Sequence, residues 1–531
     1  MFDDFGDVRW VRYNFIGGNP NGQLHFKRMK IKKVMCLSRK LIFLIKNRKG
    51  LSDYVSWFKY ISTKLMTLRV SPLLVFPLLV LISFNLFGQK PRLIVTTDIG
   101  QDPDDEQSMV RLLHYANEFD IEGIIANADT NYEKELPVLK DFIIHDMIDA
   151  YAKIESNMQL HDPDYPTSTQ LHSIVKRGCY GNGERVPFNE YIGEGKDTEG
   201  SDWIIHVVDR KDDRPVGIAV WGGACDLAQA LWKVKTTRSQ KDTDEFIKKL
   251  RVYFIGKQDS SNDWIITNFS TMWLILALDR GGDKWESGYR GMFWGGDMSN
   301  TAKEWLHKNI IDLNPLAQLY PDKAFTGGEN KNPNMAMKEG DSPSMLYFIC
   351  NGLNTPEHPS WGGWGGRYLL ERDQFYRDAN DRYFDEQSGG QITSPRATVF
   401  RWRGDFQNDF ATRVRWATQK YEDGNHHPEV KVNGDGGKYT GVVQRKAGRA
   451  IRLDASGSTD PDGDALSFNW MVYPEAGTYE GSITVKGSDK KIATVIIPKN
   501  AKGKTVHVIL SVKDNANLSL TSYKRFVIEV R

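Results

Sequence analysis

The chain has 531 residues, enough for two or three domains, and 40% of them are hydrophobic. Seventy Lys and Arg against 68 Asp and Glu leave a net charge of +2, which argues against the basic footprint of a nucleic-acid binder. Four cysteines without a Cys-x-x-Cys pair form no disulfide scaffold and argue against a zinc site.

Residues 1–65 show no clear hydrophobic period and read as an unstructured, over-extended N-terminus. Met66 and Arg69 then precede an almost unbroken apolar run at 73–87, followed by Gly88 and Gln89. The run is short for a membrane span and Pro77 interrupts it, so 66–88 reads as a signal peptide rather than a stable anchor. Export to the periplasm or the exterior follows as an expectation. Three cysteines remain after removal of this region: Cys179, Cys225 and Cys350.

Leu93, Ile94, Val95, Thr96 and Thr97 form a short β-branched run, as a buried parallel strand requires. Asp98, Gly100, Asp102, Pro103, Asp104 and Asp105 follow, and then Met109, Val110, Leu112, Leu113 and Ala116 fall at helical spacing. The pattern predicts strand, acidic loop and helix, with four carboxylates at the carboxyl end of the strand. Two such charges ~4 Å apart repel by roughly 4 kcal/mol at an effective dielectric near 20. A helix N-terminus offsets only about 0.3–1 kcal/mol per charge. Either the side chains splay into water or a hard cation, Ca²⁺ or Mg²⁺, sits among them.

This loop resembles the Asp-x-Gly-x-Asp-Asp signature of calcium-dependent nucleoside hydrolases. Asp98 and Gly100 match its first half and Asp104-Asp105 its last pair, with two residues inserted, so Asp102 or Asp104 takes the middle role. The Gln-Asp-Pro-Asp-Asp run is similar to that of the bacterial nucleoside hydrolase-like, cellulose-binding family. The resemblance implies a Rossmann-like α/β domain over 89–422 and a glycosyl hydrolase that holds Ca²⁺. Its metal ligands would be Asp98, Asp105, Asp341 and the Trp221 carbonyl. Asp98 would also take a proton from water, and Asp104 would stabilise an oxocarbenium-like state.

Residues 121–126 are a second apolar strand ending at Asn127, which the resemblance makes a substrate contact together with the polar loop Asp129, Thr130 and Asn131. A helical pattern covers 133–152, and 165–191 reads as a lid or surface loop. Residues 217–221 form a strand that ends in a Gly222-Gly223 turn, with a helix opening near Asp226; this is the strand whose last carbonyl, Trp221, would ligate calcium. After a strand at 252–256, Asp259 and Asn268 lie where related enzymes grip the sugar. Asp341 matches the late calcium ligand, followed by an apolar strand or helix at 345–350. Gly340 stands where many of these enzymes carry a leaving-group His, which leaves Glu339 or His358 to supply a proton. Trp361 and Trp364 lie on a glycine-rich loop and read either as a stacking wall for a sugar ring, with Arg367 beside it, or as a loop folded onto its core.

A helix at 406–420 closes the first domain, 423–428 reads as a linker, and 429–531 shows short strands between turns, predicting an immunoglobulin-like β-sandwich. Asp460, Asp462 and Asp464 read as an Asp-Gly turn before they read as a structural Ca²⁺ site. The expected ligand is a small sugar or nucleoside, or a polysaccharide. The alternative to a hydrolase is a non-catalytic carbohydrate-binding protein using the same acidic cleft.

Overall fold

In the computed structural model the described residues are 90–100, 102–128, 138–180, 187–322, 336–385 and 389–531. The expected N-terminal tail and signal peptide lie outside them, as does the loop of Asp129, Thr130 and Asn131.

The central sheet of the α/β part has strand order β3-β2-β1-β4-β5-β6-β8-β7. Its members are β1 (Arg92–Thr97), β2 (Asp120–Ala126), β3 (Val175–Arg177), β4 (Val216–Val220), β5 (Leu250–Ile255), β6 (Leu274–Ala277), β7 (Tyr368–Arg372) and β8 (Phe375–Asp378). All neighbours pair in parallel except β7 with β8. Every residue of β1 is buried, as its continuous β-branched run requires of a strand covered on both faces. The chain runs outward from β1 to β2 and β3, then returns to place β4 on the other side of β1. That reversal opens a crevice at the carboxyl ends of β1 and β4, and the acidic loop follows β1 directly into it.

The helices that position the site are α1 (Pro103–His114), α2 (Asp141–Ala152), α3 (Cys225–Thr237), α4 (Ser260–Asn268), α5 (Ser342–Leu346) and α6 (Arg403–Trp416). One apolar core, with Met109, Leu113, Trp221 and Phe410, packs on one face of the sheet; a second, with Ile218, Leu227 and Phe254, fills the other. The 165–191 stretch is not a simple lid. Thr167 caps a short helix at Ser168–Ser173 through a capping box with Gln170, and β3 then joins the sheet edge.

The C-terminal part packs a four-stranded sheet, order β11-β17-β16-β13, against a three-stranded one, order β12-β15-β14. These strands are β11 (Gly441–Arg445), β12 (Ala450–Asp454), β13 (Ser467–Val472), β14 (Thr484–Lys486), β15 (Ile492–Ile496), β16 (Thr505–Lys513) and β17 (Thr521–Val530). A hairpin of β9 (Asp381–Asp385) and β10 (Gly390–Ser394) lies between the α/β sheet and α6 in the chain. Leu453, Trp470, Val495, Val508 and Ile528 alternate inward and fill the sandwich. Asp460 accepts the backbone N–H of Asp462 at 2.9 Å and of Asp464 at 3.1 Å, which is a hydrogen-bonded Asp-Gly turn.

The sandwich docks through buried polar groups. Arg525 donates to the carbonyls of Leu353 (2.9 Å), Trp361 (2.9 Å) and Gly362 (2.7 Å), and Tyr523 donates to Asp405. In the segment read as a linker, His426 stacks on Tyr421 with centroids 4.1 Å apart and pairs with Asp462 at 2.9 Å.

Candidate active site

The acidic loop is shaped by two close approaches. Gly100 has φ +89, and a Cβ there would meet the Lys140 side chain at 2.4 Å, so only glycine fits the turn that lifts the chain off β1. Lys140 in turn donates to the Gly100 carbonyl at 2.8 Å. Across the crevice a Cβ on Gly222 would lie 2.5 Å from Asp98 Oδ1, so the glycine after β4 makes the room in which the Asp98 carboxylate sits. Pro103 opens α1 with its φ already helical, and Asp104, Asp105 and Glu106 fill the first turn, where the helix dipole favours acids.

How Asp341 reaches this helix is written in α1 itself. Residues 104, 108 and 111 share one face at a 3.6-residue period, and the second and third turns clasp the 336–342 segment. Gln107 donates to the Ala336 carbonyl at 2.8 Å and accepts the Lys338 N–H at 2.7 Å. Ser342 bonds Ser108 at 3.0 Å, and Arg111 makes a two-point ion pair with Glu339. The result brings oxygens of Asp104, Asp105 and Asp341 within 4.8 Å of one another. Asp98 lies close enough for its charge to act on all three. Thr97 donates to Asp105, and Trp221 Nε1 donates to Ser344 Oγ (2.9 Å), which donates to the Asp341 carbonyl (2.6 Å).

Burial, and then the neighbouring carboxylates, push Asp104, Asp105 and Asp341 well above the ordinary carboxylate range. Asp341 is 2% exposed, and among the described residues its Oδ2 accepts no hydrogen bond. A buried carboxylate oxygen without a donor, facing other carboxylates, is a poor place for an anion and a suitable one for a hard cation. The all-oxygen donor set therefore fits a hard divalent cation, Ca²⁺ or Mg²⁺. The Trp221 carbonyl, expected as a ligand, accepts a hydrogen bond from Gln258 Nε2; its second lone pair is what a cation would use. Lys338, which sequence reasoning missed, pairs with Asp102 and lies 3.7 Å from Asp104 Oδ1. Burial pulls its ammonium down to about 8 against the pull of Asp341 and Asp98. One signal for it was available: a Lys three residues before the expected late ligand.

The other expected residues divide. Asn127 ends β2 beside the crevice; its Nδ2 donates to the Gly223 carbonyl at 3.1 Å, and its buried Oδ1 has no partner among the described residues. Asp259 caps α4, accepting from Ser261 N and Ala224 N at 2.9 Å each, so backbone amides occupy both oxygens. Asn268 is a correction. It ends α4, roughly 13 Å along the helix axis from that cap, and binds Lys235 at 2.7 Å on the exposed side. Trp364 is a second correction: it is 2% exposed, edge-on to Phe406 and Tyr523, and seats the sandwich. Trp361 stacks on His358 at 3.9 Å and meets His507 of the sandwich edge-on. Arg367 binds Asp381 at 2.7 Å. The glycine-rich loop is thus folded onto core and sandwich, the second of its two readings. Glu339, one of the two candidate proton donors, is fully buried and accepts from Arg111, Tyr320 (2.8 Å) and Ser342 (2.7 Å), so its carboxylate is engaged in clasping α1. His358 belongs to the sandwich interface.

A doubly wound parallel sheet that gathers carboxylates from β1 and from a late loop at its switch point defines a nucleoside hydrolase-like domain. The comparisons agree. Residues 92–368 match the model described as "Cellulose-binding Sde182, nucleoside hydrolase-like domain", and 450–530 match "Cellulose-binding protein Sde0182, C-terminal domain". The chain belongs to this cellulose-binding Sde182 family. A solved structure of a nucleoside hydrolase-related hypothetical protein from Saccharophagus degradans, associated with carbohydrate metabolism, is 35% identical. It aligns over 83% of this chain and 100% of its own, with a TM-score of 0.69. A PKD domain from KIAA 1837 protein overlaps 17% of this chain and 81% of its own, at 20% identity and a TM-score of 0.13, too little to bear on the fold. No curated protein matches.

Proposed function

We propose that this protein is an exported, calcium-dependent hydrolase of glycosyl bonds that acts on carbohydrate. The observation that carries the reading is the convergence of Asp104, Asp105 and Asp341 within 4.8 Å, with a buried Asp341 oxygen left unbonded. Asp98, Asp105, Asp341 and the Trp221 carbonyl would hold the ion. The chemistry supplied by bound Ca²⁺ is positive charge that orients sugar hydroxyls and makes a water more acidic. Asp98, seated against Gly222, takes the proton of the attacking water. Asp104, beside Asp105 and Asp341, would stabilise positive charge as it develops on the sugar. Asn127 offers its spare amide oxygen to a sugar hydroxyl. With Gly340 carrying no side chain, the Lys338 ammonium beside the cluster serves the leaving group.

The family's description as cellulose-binding supports a sugar polymer as ligand and a place outside the cytoplasm. Among the described residues no helix is long and apolar enough to cross a membrane.

Incubation with Ca²⁺ and panels of nucleosides and gluco-oligosaccharides, read by chromatography, tests the reading. Released base or sugar that disappears in Asp98→Ala supports it. Lys338→Met should lower turnover while calcium binding persists. Tight glycan binding without any product would instead establish the non-catalytic alternative, which the bare Gly340 favours.

A further inference from the structure

The fold seats Trp361 and Trp364 against the sandwich. Another aromatic surface borders the acidic cluster. The loop after β6 leaves the sheet at the same carboxyl edge as β1 and β4 and carries Trp285, Tyr289 and Trp294. A Cβ on Gly340 would lie 3.1 Å from Asp104 Oδ2 and 3.5 Å from the Tyr289 ring, so Tyr289 lines the cluster directly. The Arg290 guanidinium bridges outward, 5.0 Å from the Tyr289 centroid and 4.6 Å from that of Trp285. Trp285 and Trp294 meet at 78° with centroids 6.5 Å apart, forming a floor and a wall. Arg396 lies 4.7 Å over Trp294 and pairs with Glu286 at 3.0 Å.

The loop is held rigid from below. Arg403 on α6 is 1% exposed and spends its donors on loop carbonyls: Met292 at 3.0 Å, Gly295 and Asp297 at 2.8 Å, and Gly291. Asp378 accepts the Gly288 N–H at 2.7 Å. Yet Trp285 remains 37% exposed on this braced loop. A large ring held ready in one orientation at the rim of a polar crevice costs little to order on binding.

The geometry points to a second sugar subsite at Trp285 and Trp294, which stacks a pyranose unit of an oligosaccharide whose neighbouring unit occupies the acidic cluster. This inference rests on the carbohydrate reading of that cluster. An equatorially substituted pyranose presents an apolar C–H face to the floor, and its hydroxyls point outward at the ring edge. Arg396, beside Trp294, and its partner Glu286 supply donors and an acceptor. A flat nucleobase would use the ring faces and leave those polar groups unmatched.

Calorimetric titration of the full-length protein with cellohexaose, glucose, inosine and Ca²⁺ tests it. Trp285→Ala and Trp294→Ala should each weaken cellohexaose by about tenfold, with glucose and Ca²⁺ affinities unchanged, and Trp285→Phe should restore most of the loss. Cellohexaose affinity unchanged in both alanine variants overturns the subsite. So does a wild-type protein that binds no cellohexaose, or an equal loss for inosine. The calcium arm separates the two claims: no Ca²⁺ bound, with a tenfold loss in Trp285→Ala, removes the metal reading and leaves the subsite standing.

Discussion

Replacing Asp341 with Asn should move stability in opposite directions with and without calcium. In the metal-free protein the three carboxylate oxygens lie within 4.8 Å. Two full charges at that separation repel by about 3.5 kcal/mol at an effective dielectric of 20. Part of this is relieved by bound protons, since burial and mutual repulsion hold all three groups above the ordinary carboxylate range. Removing one charge should therefore raise metal-free stability at neutral pH by about 1–3 kcal/mol. A cooperative unit of this size shifts by roughly 1 °C per kcal/mol. The pH dependence has a fixed sign. The folded carboxylates keep protons that the unfolded chain releases above about 4, so their contribution to metal-free stability should rise as pH falls from neutral towards that value. The variant should gain less. In saturating calcium the order inverts: wild type gains about 4.1 kcal/mol at about 1,000 times Kd, while the variant, short of one ligand, gains little. Scanning calorimetry in EDTA and in excess Ca²⁺ reads both arms. A variant that melts below wild type in EDTA, yet shows an undiminished calcium-induced rise, would refute the reasoning and leave Asp341 a packing residue.

Trp364→Ala should cost about 3–5 kcal/mol in thermal melting by emptying the seat of the sandwich, with cellohexaose affinity unchanged; a selective loss of sugar binding would return Trp364 to the cleft. Glu339→Ala leaves the buried Arg111 charge uncompensated, so it should destabilise by about 3–5 kcal/mol and weaken calcium binding through the displaced Asp341, both measurable in one calcium-dependent melt. Burial holds His114 down to about 4 and His507 to about 3. His114 donates from Nδ1 to Val110 O at 2.8 Å while Nε2 faces Asn314 Nδ2 at 3.2 Å, a neutral tautomer. The unfolded chain takes up these protons below about 6.5 and the folded one does not. The contribution of these two histidines to stability should therefore fall between about pH 6.5 and 4, by up to roughly 1.4 kcal/mol per pH unit for each His, opposite in slope to the acidic cluster. Replacing His114 with Gln should flatten that limb in a denaturant titration across pH.

Local pattern was sufficient for the elements that follow one period. The run Leu93 to Thr97 became β1, the residues from Pro103 became α1, and the alternating stretches after residue 450 became the sandwich. β11 carries no such period, because Gly441–Arg445 is an edge strand with little buried side chain. The region 165–191 shows no amphipathic pattern, because its capped helix Ser168–Ser173 and β3 are too short to display one. The acidic loop was legible as chemistry, since four carboxylates in eight residues cannot rest together without a cation or bound protons. What only the tertiary structure decided was company. Asp341 stands beside Asp104 because Gln107, Ser108 and Arg111 clasp a segment more than 200 residues away, and no local period encodes that. The same holds for the tryptophans. Composition made each of them a candidate for stacking on sugar, but a ring buries or exposes itself according to what the rest of the chain packs over it. The sandwich covered Trp364, and Arg403 braced the loop that leaves Trp285 at the rim.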